Sequence, residues 1–196
     1  PNQYETLQIL NSSTPQLLNS LRMRKLSMEE LNRKSVDEFK LSEKIPVIAV
    51  LENIRSAYNV GSIFRTADAF LLTGIYITGY TAKPPHKEIR KTALGADETV
   101  DWQYFANAHL AIDALKSEGF RVFSVEQTEK SIQLHEFSPA KGEKIALIFG
   151  NEVTGVEQST IKLCDGSLEI PQSGMKHSLN VSVAAGIVLW HVVSRI

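Results

Sequence analysis

Three features of the sequence predict an α/β fold, a mostly parallel sheet flanked by helices. Short apolar runs recur at 45–51, 74–80, 121–126 and 144–150. Segments of helical periodicity stand between them, and glycine or polar turn residues separate the two kinds. Alternation of this sort lays strands side by side and covers both faces of the sheet with helices.

The first 42 residues differ from the rest and predict a short helical N-terminal arm, with 43–196 as the main domain. The arm is rich in Leu, Asn, Gln, Ser and charge and has no β-rich run. Thr14-Pro15 suits a helix start, because proline at the first helical position loses no hydrogen bond. Ser27 followed by Glu30 has the spacing of a capping box.

"IPVIAVL" (45–51) is apolar without interruption, as a strand buried on both faces requires. "NVGSIFRTADAFLL" (59–72) places Val60, Phe64, Ala67 and Leu71 on one helical stripe. "GIYITGY" (74–80) predicts a second strand, "HKEIRKTAL" (86–94) a short basic helix and "ETVDW" (98–102) a short strand. A helix over 106–119 closes at Gly119, and strands follow at 121–126 and 144–150. A helix over 155–164, a strand over 167–171 and a helix over 180–195 complete the pattern. The last helix is apolar almost all round, from Val181 to Val193, so every side of it needs cover. Its small residues Ala184, Ala185 and Gly186 invite close approach by another backbone, which predicts a homodimer.

Composition narrows the function. The hydrophobic fraction is 43%, the net charge is −1, and Cys164 is the single cysteine. One cysteine excludes an internal disulfide and a multi-cysteine zinc site, and His86, His109, His135 and His191 make no metal pattern. No run reaches the length of a membrane span and no signal-peptide pattern is present, so a cytoplasmic protein is expected. A near-neutral chain that binds nucleic acid has to cluster its cations. Arg22, Arg24 and Lys25 form one cluster, and Lys83, Lys87, Arg90 and Lys91 form another; a solvated helix face explains either equally well.

"LIFGNEVTGVEQS" (147–159) runs from an apolar strand into a polar turn. Gly150 and Gly155 have the spacing of a phosphate loop, but Val156 and Glu157 stand where its Lys and hydroxyl belong. No GxGxxG occurs. The strand end therefore suits a ligand other than a polyphosphate, because ligands of open α/β sheets bind at strand C-termini. Gly150 is expected to let that ligand lie against the backbone. Val125 and Glu126 end another strand, and Ile170, Pro171 and Gly174 form a third strand end with a wrapping loop.

Three segments together, "LENIRSAYNVGSIFRTADAF" (51–70), "LIFGNEVTGVEQS" (147–159) and "LEIPQSGMKHSLNVSVAAG" (168–186), closely resemble the motifs of the SpoU/TrmH family. That family belongs to the SPOUT superfamily of RNA methyltransferases. The resemblance covers roughly 45–196 and does not reach the arm. It implies a C-terminal trefoil knot, the SPOUT-like α/β knot, although true knots are rare. It implies S-adenosylmethionine as cofactor and methyl transfer to a ribose 2′-hydroxyl of tRNA or rRNA, with the short arm favouring tRNA. By the same resemblance Arg65, Asn59, Glu152, Ser178 and Asn180 are the catalytic residues. Gly150, Ile170 and Leu179, with Pro171, Gly174, Met175, Val125 and Glu126, are the cofactor contacts.

A guanidinium is a poor base, so Arg65 is expected to stabilise the incipient alkoxide or clamp a phosphate. Its bland alternative is an ion pair with Asp68 three positions on. Asn59 can instead cap its helix, as can Ser178 or Asn180. Glu152 is expected to hold Arg65 or the third segment in place. Arg55 joins the RNA-facing cations, and His177 is expected to be an exposed loop histidine. No metal is expected. A non-catalytic RNA-binding dimer with the same fold is the competing reading, weakened because the five catalytic positions are all filled.

Overall fold

A computed structural model describes residues 23–27, 29–32, 34–175 and 178–196. Thr14-Pro15, Arg22 and His177 lie outside the described residues. Two compact units emerge, 1–35 and 36–196.

In the first unit the capping box is made. The N–H of Ser27 donates to Glu30 Oε2 at 2.7 Å, and the N–H of Glu30 donates to Ser27 Oγ at 3.3 Å. A turn over 29–31 follows, closed by the N–H of Asn32 on the Glu29 carbonyl at 3.3 Å, and the described residues of this unit contain no helix.

The second unit begins with helix α1, Val36–Leu41. Seven strands follow: β1 Ile45–Glu52, β2 Leu72–Thr78, β3 Trp102–Phe105, β4 Arg121–Val125, β5 Ile132–Gln133, β6 Ile145–Phe149 and β7 Gly166–Glu169. They form one sheet in the order β3-β2-β1-β6-β4-β7-β5, and every pairing is parallel. The central strands explain the uninterrupted apolar runs. Val47 to Leu51 of β1 and all of β6 are buried, because helices cover both faces.

One face carries α2 (Ala57–Ala69), α3 (Lys87–Ala93), α4 (Ala96–Thr99) and α7 (Val181–Val193) over a core that includes Phe64, Ile77, Phe149 and Leu189. The other carries α5 (Ala108–Ser117) and α6 (Gln158–Ile161) over Val50, Ile112, Val122 and Ile148.

Three sequence expectations change. The strand expected over 98–102 is helix α4 followed by β3: Gly95, at φ 96°, starts a fresh turn that a side chain would strain, and pairing with β2 begins only at Trp102. The helix expected over 155–164 shortens to α6, because Gly155 (φ 69°) is bridged to Asn151 and spends its residue on the turn. Leu71 leaves the apolar stripe of α2, since the chain turns left-handed there (φ 52°) to enter β2. Within one chain the last helix is covered on one side: Val181, Ala185, Val188, Leu189 and Val192 are buried, and Val183, Ile187 and Trp190, 50%, 40% and 61% exposed, form the stripe for which a partner's cover is expected. Among the described residues, no helix is long and apolar enough to cross a membrane.

Candidate active site

The C-terminal ends of β6, β4 and β7, neighbours in the sheet, surround one cleft. Its walls include Val125, Phe149, Leu168, Ile170, Leu179, Val181 and Ala184, and its polar lining includes Glu126, Gln127, Asn151, Glu152, Gln172 and Ser178. Gly150 and Leu179 thus share one hollow although 29 positions separate them in the sequence. Of the expected cofactor contacts, Val125, Glu126, Gly150, Ile170 and Leu179 line the cleft. Pro171, Gly174 and Met175 do not; they lie exposed on the loop beyond it.

The glycine at the strand end has a packing reason besides the expected ligand approach. A Cβ on Gly150 would come within 2.2 Å of the backbone of Gly155 and Val156. The bare residue therefore lets the 151–155 turn fold back against the strand. A Cβ on Gly155 would in turn meet a Glu126 carboxylate oxygen at 2.1 Å. Glu126 is fixed by the N–H groups of Val156 (3.0 Å) and Gln127 (2.9 Å).

Beside the cleft the three segments are tied by hydrogen bonds. Glu152 accepts from the N–H of Arg55 (2.8 Å), the N–H of Ser56 (3.0 Å) and Asn59 Nδ2 (2.8 Å). Asn180 Nδ2 donates to Asn59 Oδ1 at 3.2 Å. Partial burial opposes the charged form of Glu152, yet the donors from Arg55, Asn59 and Ser56 outweigh it and hold the carboxyl below its ordinary range. The carboxylate also sits at the N-terminus of α2, where negative charge is favoured.

Ser56 caps α2, so Asn59 is freed from that role and spends its amide on Glu152 and Asn180. Asn180 caps α7 through the N–H groups of Ser182 and Val183 while reaching Asn59. Of the two expected roles, Glu152 takes the second: it holds the start of α2 and, through Asn59, the third segment, and makes no contact with Arg65 of its own chain.

Arg65 lies elsewhere, on the exposed side of α2, in a hollow with Ser62, Thr66, Ala69, Phe70, Lys91 and Thr92. Among the described residues no ion pair includes it. Asp68, its partner in the alternative reading, accepts from the Thr99 hydroxyl at 2.9 Å. Trp190 of α7 meets Phe70 at the end of α2, ring centroids 5.7 Å apart. The exposed stripe of α7 and the Arg65 hollow therefore adjoin.

The expected RNA-facing cations divide. Arg90 pairs with Glu98 at 2.8 Å and stands 3.9 Å from Asp97, and Arg24 pairs with Glu30 at 2.6 Å, so both carry local charge partners. Lys83 and Lys91 stand over the rings of Tyr104 and Tyr58, at 3.9 and 5.7 Å. Lys87, Arg90 and Lys91 share a surface hollow with Pro85 and His86. Arg55 and Lys25 are exposed.

Sequence reading missed the polar partners behind this site. Glu52 is buried at the end of β1, accepts from Thr160 Oγ1 (2.5 Å) and the Glu157 N–H (3.0 Å), and burial raises its pKa. A lone acid closing an apolar run was the available signal. Among the described residues no group of acids, histidines or cysteines is placed to hold a metal.

Residues 46–190 match the SpoU rRNA Methylase family. The tRNA (guanosine(18)-2'-O)-methyltransferase of Thermus thermophilus is 30% identical over 161 residues, which cover 82% of this chain and 81% of that protein. The 23S rRNA (guanosine-2'-O-)-methyltransferase of Vibrio cholerae is 30% identical over 168 residues, covering 85% and 66%. Among solved structures, the A. aeolicus TrmH/SpoU tRNA modifying enzyme superposes with a TM-score of 0.72 at 25% identity over 82% of this chain and 80% of that one. The AdoMet-bound rRNA methyltransferase from Sinorhizobium meliloti superposes with a TM-score of 0.69 at 26% identity over 81% and 60%.

Proposed function

We propose that this chain, which belongs to the SpoU rRNA Methylase family, transfers a methyl group from S-adenosylmethionine to a ribose 2′-hydroxyl of tRNA or rRNA, with tRNA the favoured substrate. The observation that carries the reading is the convergence of its three motif segments: the Glu152–Asn59–Asn180 chain borders the cleft lined by Gly150, Ile170 and Leu179.

The cleft suits the cofactor. Phe149, Leu168, Ile170 and Leu179 offer apolar walls for an adenine, and the strand ends offer backbone groups, the usual makeup of a small-molecule site. Val125, Glu126, Gly150, Ile170 and Leu179 would hold it. The bound donor supplies a methyl group activated on a sulfonium. This chain has to orient the ribose hydroxyl, stabilise its developing negative charge and receive its proton. Ser178 lines the cleft and the Asn59–Asn180 pair stands at its edge, which suits them to orient the hydroxyl. Glu152 is committed to three donors and serves as the anchor of that arrangement. Arg65 supplies the positive charge.

Arg65 is absent from the cleft lining of its own chain. It adjoins the uncovered apolar stripe of Val183, Ile187 and Trp190. A homodimer through α2 and α7 buries that stripe and carries each Arg65 toward the partner's cleft. The C-terminal trefoil knot belongs to the same reading. It is supported by β7, which lies between β4 and β5, and by the return of the following segment to Asn59. The region up to residue 42 is read as an RNA-contacting arm, and the site of action as the cytoplasm.

Calorimetric titration with S-adenosylmethionine tests the reading. A saturable heat that Gly150→Trp abolishes is expected. No heat at millimolar cofactor favours the non-catalytic RNA-binding dimer.

A further inference from the structure

Two tyrosines, Tyr80 and Tyr104, are exposed and yet fixed. Tyr80 follows β2 and is 65% exposed. Its N–H donates to Asn53 Oδ1 at 3.3 Å, and its hydroxyl accepts from Asn151 Nδ2 at 2.7 Å. Both ends of the residue are held while the ring faces solvent. Tyr104 of β3 is 40% exposed, and its hydroxyl donates to the carbonyl of Gly79 at 3.1 Å. The two rings are thus anchored to one turn from two strands. Lys83 places its ammonium 3.9 Å from the centroid of the Tyr104 ring. Trp102, two positions before Tyr104 and so on the same face of the edge strand β3, is 37% exposed.

Holding an exposed aromatic side chain in one orientation costs rotamer entropy and buries little. Packing does not repay that cost here; a flat partner would. Asn151, which fixes Tyr80, itself lines the donor cleft and precedes Glu152. Tyr80 therefore stands one side chain from the donor cleft, and Tyr104 is joined to it through the Gly79 carbonyl. Aromatic faces beside a cation are the recurring means of holding unpaired nucleobases, because every base has a π-face and a neighbouring phosphate.

We propose that Tyr80 and Tyr104, with Lys83, form a stacking platform for unpaired bases of the RNA next to the methylated ribose. The proposal rests on the methyltransferase reading and adds the residues that seat the substrate.

Bulk tRNA, with total rRNA in parallel, is the probe for filter binding across a salt series. Tyr80→Ala and Tyr104→Ala are each expected to weaken binding about 10-fold, within the range of one lost stack, with the salt slope unchanged. Lys83→Ala is expected to lower the slope by about one, as one lost phosphate contact does. Tyr80→Phe and Tyr104→Phe keep the ring but lose its hydroxyl anchor, and are expected to bind more tightly than the alanine variants and more weakly than the wild type. S-adenosylmethionine titration of every variant reports whether the fold and the donor cleft are intact. Wild-type RNA affinity in both alanine variants overturns the platform and leaves the methyltransferase reading standing. Phenylalanine variants as weak as the alanine ones also overturn it, since the hydroxyl anchor and not the ring would then matter. A wild-type protein that binds neither cofactor nor RNA overturns both.

Discussion

Asn180 Nδ2 donates to Asn59 Oδ1 across 3.2 Å, and Asn59 Nδ2 donates to Glu152 Oε1 across 2.8 Å. Asn59 is therefore the middle member of a chain that joins α2, the turn after β6 and the start of α7. Removing it leaves a carboxylate short of one donor and an amide short of its acceptor. Asn59→Ala is expected to lose about 1–2 kcal/mol, read as a fall of a few degrees in the thermal midpoint. Asn59→Asp is expected to lose more, because it sets a second carboxylate against Glu152. Equal midpoints for wild type and Asn59→Asp would break this link.

Glu152 gives the site a pH dependence. Its carboxyl lies below the ordinary range in the folded state, because donors from Arg55, Asn59 and Ser56 outweigh the opposing effect of burial. A depressed acid stabilises the fold above its unfolded pKa, about 4.3 for Glu, and that contribution disappears as pH falls through the folded value. Glu152→Gln is expected to flatten the loss of stability below about pH 4.3, in melts recorded across a pH series. Parallel curves for the two proteins would assign the acid sensitivity elsewhere.

Much of this was legible before any coordinates. Apolar runs gave β1, β2, β4 and β6, because a strand buried on both faces leaves no room for polar alternation. What escaped depended on tertiary contact or on very short segments. A two-residue strand such as Ile132–Gln133 has no periodicity to read. The split of 98–102 between a helix and a strand turned on the left-handed Gly95. At the site, the strand ends pointed to Gly150 and Ile170 and the family resemblance added Leu179, but the sequence did not show that the missing Cβ of Gly150 serves Gly155 and Val156. Nor did it separate Arg65 from Glu152, since both belong to motif segments and only the fold sets the distance between them.

Arg65→Ala is expected to retain cofactor binding and lose methyl transfer by about 100- to 1,000-fold, the cost of removing one group that stabilises developing charge. Single-turnover transfer with labelled S-adenosylmethionine measures it. Full activity would remove Arg65 from the reaction.

Charge reversal at Lys87, Arg90 and Lys91 is expected to weaken RNA binding more at low salt than at high. Arg90 is expected to contribute least, because Glu98 and Asp97 already offset it. An unchanged salt slope would make this hollow a solvated surface.

Trp190→Glu together with Ile187→Glu puts charge into the exposed stripe of α7 without touching its buried face. Sedimentation is expected to show monomer in place of dimer, with the circular dichroism spectrum kept and transfer lost. A wild-type protein that sediments as monomer would contradict the shared-site arrangement.

The most direct measurement follows the methyl group itself. Bulk tRNA is incubated with the protein and isotopically labelled S-adenosylmethionine, digested to nucleosides and resolved by mass spectrometry. Label in a 2′-O-methylated ribose, reduced at least about 100-fold with Arg65→Ala, is the expected result. Label on a nucleobase, or none in tRNA or in rRNA treated alike, would contradict the account.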